Sequence, residues 1–257
     1  MLIRVIRVMK IIPLSEGTFT IDKSKLFVPF ELGQHNLQDR PSGSLLVEIQ
    51  PFVVITSKDI VLIDTGLGFT ENGQLQLHEN MRRNNIDPGS VTKVLMSHLH
   101  KDHAGGVSVE DKLCSRRELS FPHAIYYVHE KELDYAFEKG FPSYIPAELE
   151  ELKDASNVVL LEGEERLIDG YIQYRLTGAH SPCHLVFWIR ENGETIFFGG
   201  DDAPQLQQMK HRFVAKYDYD GKKAAALREE WWEKGQEEKW EFLFYHDVRH
   251  PVWAFSE

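Results

Sequence analysis

Apolar positions along the chain fall mainly into short runs separated by polar turns, and helical spacing appears in only a few places. Residues 2–12, 44–49, 52–56 and 60–64 are rich in Val, Ile, Leu and Phe and read as strands. The turn Ser57-Lys58-Asp59 joins the last two, so the set looks like a meander. Residues 75–84 carry helical spacing that stops before Asp87-Pro88-Gly89, and residues 91–96 form a β-branched run of the kind buried in a sheet. A strand at 124–128 leads into a helix over 130–138 that ends at Gly140 and Pro142. The irregular, polar stretch 107–123 between these elements predicts a loop lying over a site.

The second half repeats the theme. Residues 158–161, 171–176, 185–190 and 195–199 read as four strands, with Asn192-Gly193 as a hairpin turn. Residues 222–240 place Ala224, Ala225, Leu227 and Trp231 at helical spacing in a charged background, and 242–245 is a last short strand. Strands, a helix, strands again and a helix suggest two similar halves. No repeat or low-complexity linker marks a boundary, so residues 1–257 read as one domain.

Composition narrows the class. With 42% hydrophobic and 27% charged residues, the chain has ample apolar surface for a core. A net charge of -11 argues against nucleic acid as a partner, because phosphate neutralisation needs clustered Lys and Arg. No apolar run approaches the roughly 18 to 20 residues that span a bilayer. Arg4, Arg7 and Lys10 interrupt the first apolar stretch, which argues against a signal-peptide core and for the cytoplasm. Cys114 and Cys183 are too few for a disulfide framework.

The chemistry concentrates in Ser97-His98-Leu99-His100-Lys101-Asp102-His103-Ala104-Gly105-Gly106, directly after a predicted buried strand. Any one of these histidines, taken singly, is best read as a surface or turn residue. Four ligand-type side chains within six residues are not. An extended backbone through His98 and His100 sends both imidazoles to one side, and a turn then swings Asp102 and His103 toward a second point. Imidazole and carboxylate together favour zinc, manganese or iron over calcium or magnesium.

This cluster resembles the H-x-H-x-D-H signature of the metallo-β-lactamase superfamily, matched by His98, His100, Asp102 and His103. Ile63-Asp64-Thr65-Gly66 is similar to that family's D-T-G element. Thr177-Gly178-Ala179-His180-Ser181-Pro182-Cys183-His184 is similar to its T-P-G-H-T-P-G-H stretch, with Ala179 and Cys183 replacing Pro and Gly, and Gly200-Asp201 resembles its bridging-aspartate turn. The resemblance implies an α/β fold, an αβ/βα sandwich of two mixed β-sheets with helices on the outer faces. It also implies two divalent metal ions, zinc first, with manganese or iron as alternatives. His98, His100 and His180 would hold one ion, Asp102, His103 and His246 the other, and Asp201 would bridge them. His250 competes with His246, and Asp202 with Asp201. Asp64 would orient a ligand or simply cap its turn, Cys183 is an inert buried thiol on its plainer reading, and His184 would stand beside the ligands or face substrate.

Two metals sharing Asp201 would acidify a shared water to the attacking hydroxide, with Asp201 or a neighbouring group such as Asp102 handling the proton. The order from Gly200 through the 222–240 helix to His246 most resembles the branch of N-acyl-homoserine lactonases and methyl-parathion-type hydrolases, which implies opening of a lactone or cleavage of an ester in a small-molecule substrate. Phe213, Tyr217 and residues 107–123 are candidate pocket walls, with plain core packing the better reading of the two aromatics. A glyoxalase II-like thioester hydrolase and an iron-dependent persulfide dioxygenase use much the same ligands, and a metal-binding scaffold is the non-enzymatic alternative. The partners expected are small molecules, not membranes or nucleic acid, with a homodimer left open.

Overall fold

Two six-stranded sheets face each other in a computed structural model that describes residues 9–111 and 116–255. The first runs in the order Lys10–Pro13, Phe52–Ile55, Ile60–Ile63, Lys93–Leu95, Ile125–His129, Val158–Leu161. Its first pairings are antiparallel and the remainder parallel. The second runs Glu165–Ile168, Ile172–Leu176, Leu185–Glu191, Glu194–Phe198, Glu241–Leu243, Val252–Ala254, with a single parallel pairing between Glu194–Phe198 and Glu241–Leu243. Both sheets are therefore mixed.

Side-chain alternation explains the layering. On the first sheet Val53, Leu62, Val94 and Tyr126 pack outward against Leu77 and Met81 of helix Gln76–Arg83 and Leu133 and Ala136 of helix Glu130–Lys139. Their neighbours Phe52, Val54, Val61, Ile63 and Leu95 point the other way and meet Tyr174, Leu185, Phe187, Ile189 and Phe198 of the second sheet. The next register, Val186, Trp188, Phe197 and Phe242, packs against Ala224, Leu227 and Trp231 of helix Gly221–Glu237. Both faces of each sheet are covered, which is why the strands read as near-continuous apolar runs rather than as alternation. Each fully buried large apolar side chain contributes about 1.5–3 kcal/mol. The αβ/βα sandwich expected from the sequence is the fold observed.

Helix ends follow local chemistry. Asp220 accepts the Lys223 N–H at 3.0 Å to start the long helix, and His129 Nδ1 accepts the Lys131 N–H at 3.2 Å to start the helix after strand Ile125–His129. Among the described residues, no helix is long and apolar enough to cross a membrane.

Three sequence expectations need correction. Strand Leu45–Ile49 is not part of the meander: it pairs with Gly17–Ile21 in a separate three-stranded sheet completed by Phe27–Pro29. The Thr-rich strand that recruits it has too little hydrophobic contrast to announce itself. Strand Val158–Leu161, grouped by sequence with the strands of the second half, joins the first sheet, parallel to Ile125–His129. Within residues 107–123, Ser108–Asp111 and Arg116–Leu119 form an antiparallel ribbon, tied by Ser108 Oγ to the Glu148 carbonyl at 2.6 Å. Of the predicted strand 2–12, residues 1–8 lie outside the described residues, as does Cys114.

Candidate metal centre

Strand ends deliver the site. Asp64 follows Ile60–Ile63 and His98 follows Lys93–Leu95 in the first sheet. His180 follows Ile172–Leu176, Asp201 follows Glu194–Phe198 and His246 follows Glu241–Leu243 in the second. Two stiff sheets thus present short loops to one another at a single end, which holds side chains more rigidly than a free loop would. Two of those loops touch: a Cβ on Gly106 would stand 2.2 Å from the Thr65 carbonyl oxygen and one on Gly105 2.4 Å from that of Leu67, so only glycine fits there.

The predicted ligand residues assemble into two groups, His98, His100, His180 and Asp201 in one and Asp102, His103 and His246 in the other. His98 Nε2 lies 2.9 Å from His100 Nδ1, which lies 3.2 Å from His180 Nε2. Asp201 joins the groups: Oδ2 is 3.2 Å from His180 Nε2, while Oδ1 is 3.1 Å from His103 Nε2 and 3.0 Å from His246 Nε2. Asp102 Oδ2 stands 3.6 Å from His246 Nε2 and 3.8 Å from His103 Nε2. Around an ion with bonds of about 2.0–2.1 Å, tetrahedral ligand atoms are ~3.3 Å apart, so these separations suit shared coordination. His103 Nε2 and Asp201 Oδ1 are buried without a hydrogen-bond partner, and orphaned polar atoms aimed at one point fit a cation there.

Further groups hold the imidazoles in place. His103 Nδ1 lies 2.7 Å from Asp64 Oδ2, His180 Nδ1 3.0 Å from Asp218 Oδ1, His246 Nδ1 2.8 Å from the Glu48 carbonyl and His98 Nδ1 3.1 Å from Ser97 Oγ. In each of the four, the other ring nitrogen is the one turned inward. Asp64 also accepts from the Ser97 N–H and hydroxyl at 2.7 Å each, so it does more than cap its own turn. Between His98 and His100, the Leu99 N–H donates to Glu132 Oε1 at 2.9 Å, and the Tyr144 ring lies 4.8 Å from that of His100. Tyr245 stacks on His103 at 4.0 Å and donates to the Asp102 carbonyl at 2.6 Å.

Charge divides the histidines. Burial, reinforced by neighbouring imidazoles, holds His98 and His100 well below the usual histidine range and so keeps them neutral. Burial acts the same way on His103, His180 and His246, but there the surrounding carboxylates together, Asp201 foremost with Asp64 and Asp102 beside His103, Asp218 and Asp202 beside His180 and Asp102 beside His246, outweigh it and push them up. Burial works against ionisation of Asp201 too, yet His246, His103 and His180 hold its carboxyl well below the usual range.

The competing assignments separate in space. Asp202 gives Oδ1 to the His180 N–H at 2.6 Å and Oδ2 to the Thr177 hydroxyl, so its oxygens are turned away from the imidazole cluster. His250 is exposed beside Trp253, and its backbone N–H donates to Asp247. His184 accepts the Asp201 N–H at Nε2, 3.1 Å away, and places Nδ1 3.2 Å from Asp202. The Cys183 thiol is outside both groups, and burial pushes it up to about 11. Asp218, Glu132, Tyr144 and Tyr245 were not foreseen. Only Tyr245 carried a signal, as the neighbour of His246; the others reach the site through the fold.

A cavity of about 680 Å³ opens onto His100, Asp102, His180, Asp201 and His246. Its walls come from the three-stranded sheet, including Phe27, Leu45 and Val47, and from Tyr217, whose ring lies 6.2 Å from that of His180. None of the described residues of 107–123 lines that cavity, nor does Phe213, which offers its carbonyl to Arg228.

Comparison with known proteins agrees with this picture. Residues 47–229 match the family model of the metallo-beta-lactamase superfamily. A probable metallo-hydrolase of Bacillus subtilis (strain 168), YybB, is 26% identical over 144 residues, a match covering 56% of this chain and 58% of that relative. A probable metal-dependent hydrolase from Staphylococcus aureus superposes with a TM-score of 0.77 at 20% identity, covering 96% of this chain and 92% of that one. AidC, a dizinc quorum-quenching lactonase, superposes at 0.70 with 20% identity, covering 95% and 89%. At such identities the structural likeness speaks for the fold.

Proposed function

The chain belongs to the metallo-beta-lactamase superfamily, and from that premise we propose that it is a two-metal hydrolase that opens a lactone or cleaves an ester. The observation that carries this reading is Asp201, whose two carboxylate oxygens face two separate histidine groups. His98, His100 and His180 would hold one divalent ion and Asp102, His103 and His246 the other, with Asp201 shared. The nitrogen and oxygen donor set favours zinc, and manganese or iron would accept the same donors. When bound, such ions lower the pKa of water toward neutrality and polarise a carbonyl.

The chain's own groups do the rest. Asp102 and Asp201 both line the cavity, and the Asp102 carboxylate, or Asp201 beside it, would take up the proton released as water oxygen bonds to the carbonyl carbon. That proton then passes to the alkoxide as the ester C–O bond breaks. Tyr217 lines the cavity with its phenol pushed up to about 12 by burial, so it stays protonated. Gln208 Nε2 donates to its oxygen at 3.3 Å, which leaves the phenolic hydrogen free to meet a developing oxyanion. Apolar Phe27, Leu45 and Leu46 would take an acyl portion.

Elemental analysis combined with a panel of lactones, esters, thioesters and phosphotriesters tests the reading. Two equivalents of metal with oxygen-independent turnover of a lactone or ester are expected. One iron per chain with oxygen consumption would overturn it in favour of a dioxygenase, and a fully loaded protein that turns over nothing in the panel would leave a metal-binding scaffold.

A further inference from the structure

The cavity is charged in the opposite sense to the chain. Asp and Glu outnumber Lys and Arg by 40 to 29 overall, so an arbitrary stretch of surface should carry more acids than bases. Yet Lys23, Lys25, Arg40, Lys101 and Lys216 all line the cavity. Apart from Asp102 and Asp201 the single acid there is Asp22, whose Oδ1 accepts from the Ser24 N–H and hydroxyl at 2.8 and 2.6 Å.

Neighbouring acids reach these cations only at longer range, Asp22 acting on Lys23 and Asp102 and Glu148 on Lys101. Among the described residues, none of the five forms an ion pair with a carboxylate. Two of them are tethered by contacts that leave charge available. Lys101 Nζ donates to the Lys25 carbonyl at 2.6 Å and lies 5.8 Å from the Phe27 ring, which pins the Asp22–Phe27 turn over the cavity. Arg40 spends only Nε, on the Leu37 carbonyl at 3.2 Å, so both terminal nitrogens of its fork stay unpartnered among the described residues. Lys216 comes from a distant part of the chain, in the segment leading to helix Gly221–Glu237. Metal loading would add positive charge beyond what Asp102 and Asp201 neutralise, so cations gathered here are costly unless an anion is meant to enter.

We infer that the substrate is an anion, an ester or lactone that carries a carboxylate or phosphate-like group remote from the bond being cleaved, with Arg40, Lys216 and the Lys23/Lys25 turn receiving that group. The inference rests on the hydrolase reading above and narrows its substrate class. The apolar wall then holds the stretch between the charged end and the carbonyl, and arginine is the residue suited to a forked contact with either oxyanion.

Matched probes test it on the metal-loaded protein: 4-nitrophenyl pentanoate, the mono-4-nitrophenyl ester of glutaric acid, and the 4-nitrophenyl ester of 3-phosphonopropanoic acid. At least one anionic ester should exceed the neutral one in kcat/KM by about ten-fold or more at low salt, and the two anionic arms identify carboxylate or phosphate-like recognition. Arg40→Ala and Lys216→Ala should each cut that preference by roughly five-fold, and raising salt from about 20 to about 300 mM should erode it. Calorimetric binding of glutarate should weaken in parallel in the R40A/K216A protein, with metal content unchanged. An anionic-to-neutral ratio near one, insensitive to salt and to both substitutions, would overturn the inference while leaving the hydrolase reading intact. If no ester is cleaved but glutarate binding still depends on Arg40 and Lys216, the anion site stands and the hydrolase reading falls. If neither activity nor substitution-dependent binding is found, both fall.

Discussion

Asp64 Oδ2 lies 2.7 Å from His103 Nδ1, linking the end of one strand to a histidine 39 residues further along the chain. Both side chains are fully buried, and Asp64 takes a left-handed backbone conformation, φ 57°, to reach it. Since the opposite ring nitrogen faces Asp201, the Asp64 carboxylate fixes which nitrogen of His103 is offered inward.

Asp64→Ala should therefore weaken the Asp102, His103 and His246 site selectively, by about 10- to 100-fold in metal affinity. Competition with a chelator of known affinity reads this directly. Unchanged affinity at both sites would mean that Asp64 serves only its turn.

Asp201→Asn retains the shape of the bridge and removes its charge. The substituted protein should lose one of two metal equivalents and most of its hydrolytic activity, as judged by elemental analysis beside an ester assay. Full activity with two ions bound would transfer the bridging role elsewhere, although Asp202 is already engaged by Thr177 and the His180 N–H.

Glu16 supplies a pH dependence of stability. Burial pushes its carboxyl from the ordinary 4.5 to about 7, only partly offset by the Leu67 N–H that it accepts. Between these values the folded chain binds the proton more tightly than the unfolded one. The Glu16 contribution is therefore fully present below about pH 4.5 and is lost as pH rises through about 7. Glu16→Gln, which keeps an acceptor for Leu67, should flatten that part of the profile in thermal melts taken across this window. Parallel profiles for the two proteins would show that Glu16 does not carry it.

Trp231 anchors the outer layer on the second sheet, 1% exposed, with its ring 4.9 Å from Phe197 and 6.5 Å from Trp188. Trp231→Ala should cost about 3–5 kcal/mol in urea unfolding through lost burial and the cavity left behind. Metal content should not change in the fraction that remains folded, because Trp231 packs among Trp188, Phe197 and Trp240 while the link from its helix to the ligand segment, Arg228 to the Asp202 carbonyl, is left in place. A loss below about 1 kcal/mol would indicate that the layer collapses to fill the gap.

Much of this was legible in the chain itself. The runs at 52–56, 60–64, 91–96 and 185–190 announced strands because both faces of each are buried, and the H-x-H-x-D-H spacing placed four candidate ligands within a six-residue stretch directly after a strand. Local spacing suffices there because residues this close in sequence stay close in space, whichever of two adjacent points each one serves. His180, Asp201 and His246 could be nominated only through likeness to a family, since up to 148 residues separate them from His98 and no local pattern ties them to it.

Other features were decided by tertiary structure alone. Asp218 reaches His180 across 38 residues, Glu132 approaches the Leu99 N–H from a neighbouring helix, and Leu45–Ile49 leaves the meander for Gly17–Ile21. The cationic wall belongs to the same class: Lys23, Arg40, Lys101 and Lys216 are ordinary surface residues in sequence and become one surface only when the three-stranded sheet folds over the strand ends. Hydrophobic periodicity records how each element faces its own layer. Which polar side chains then converge depends on how the layers are stacked, and no single element carries that information.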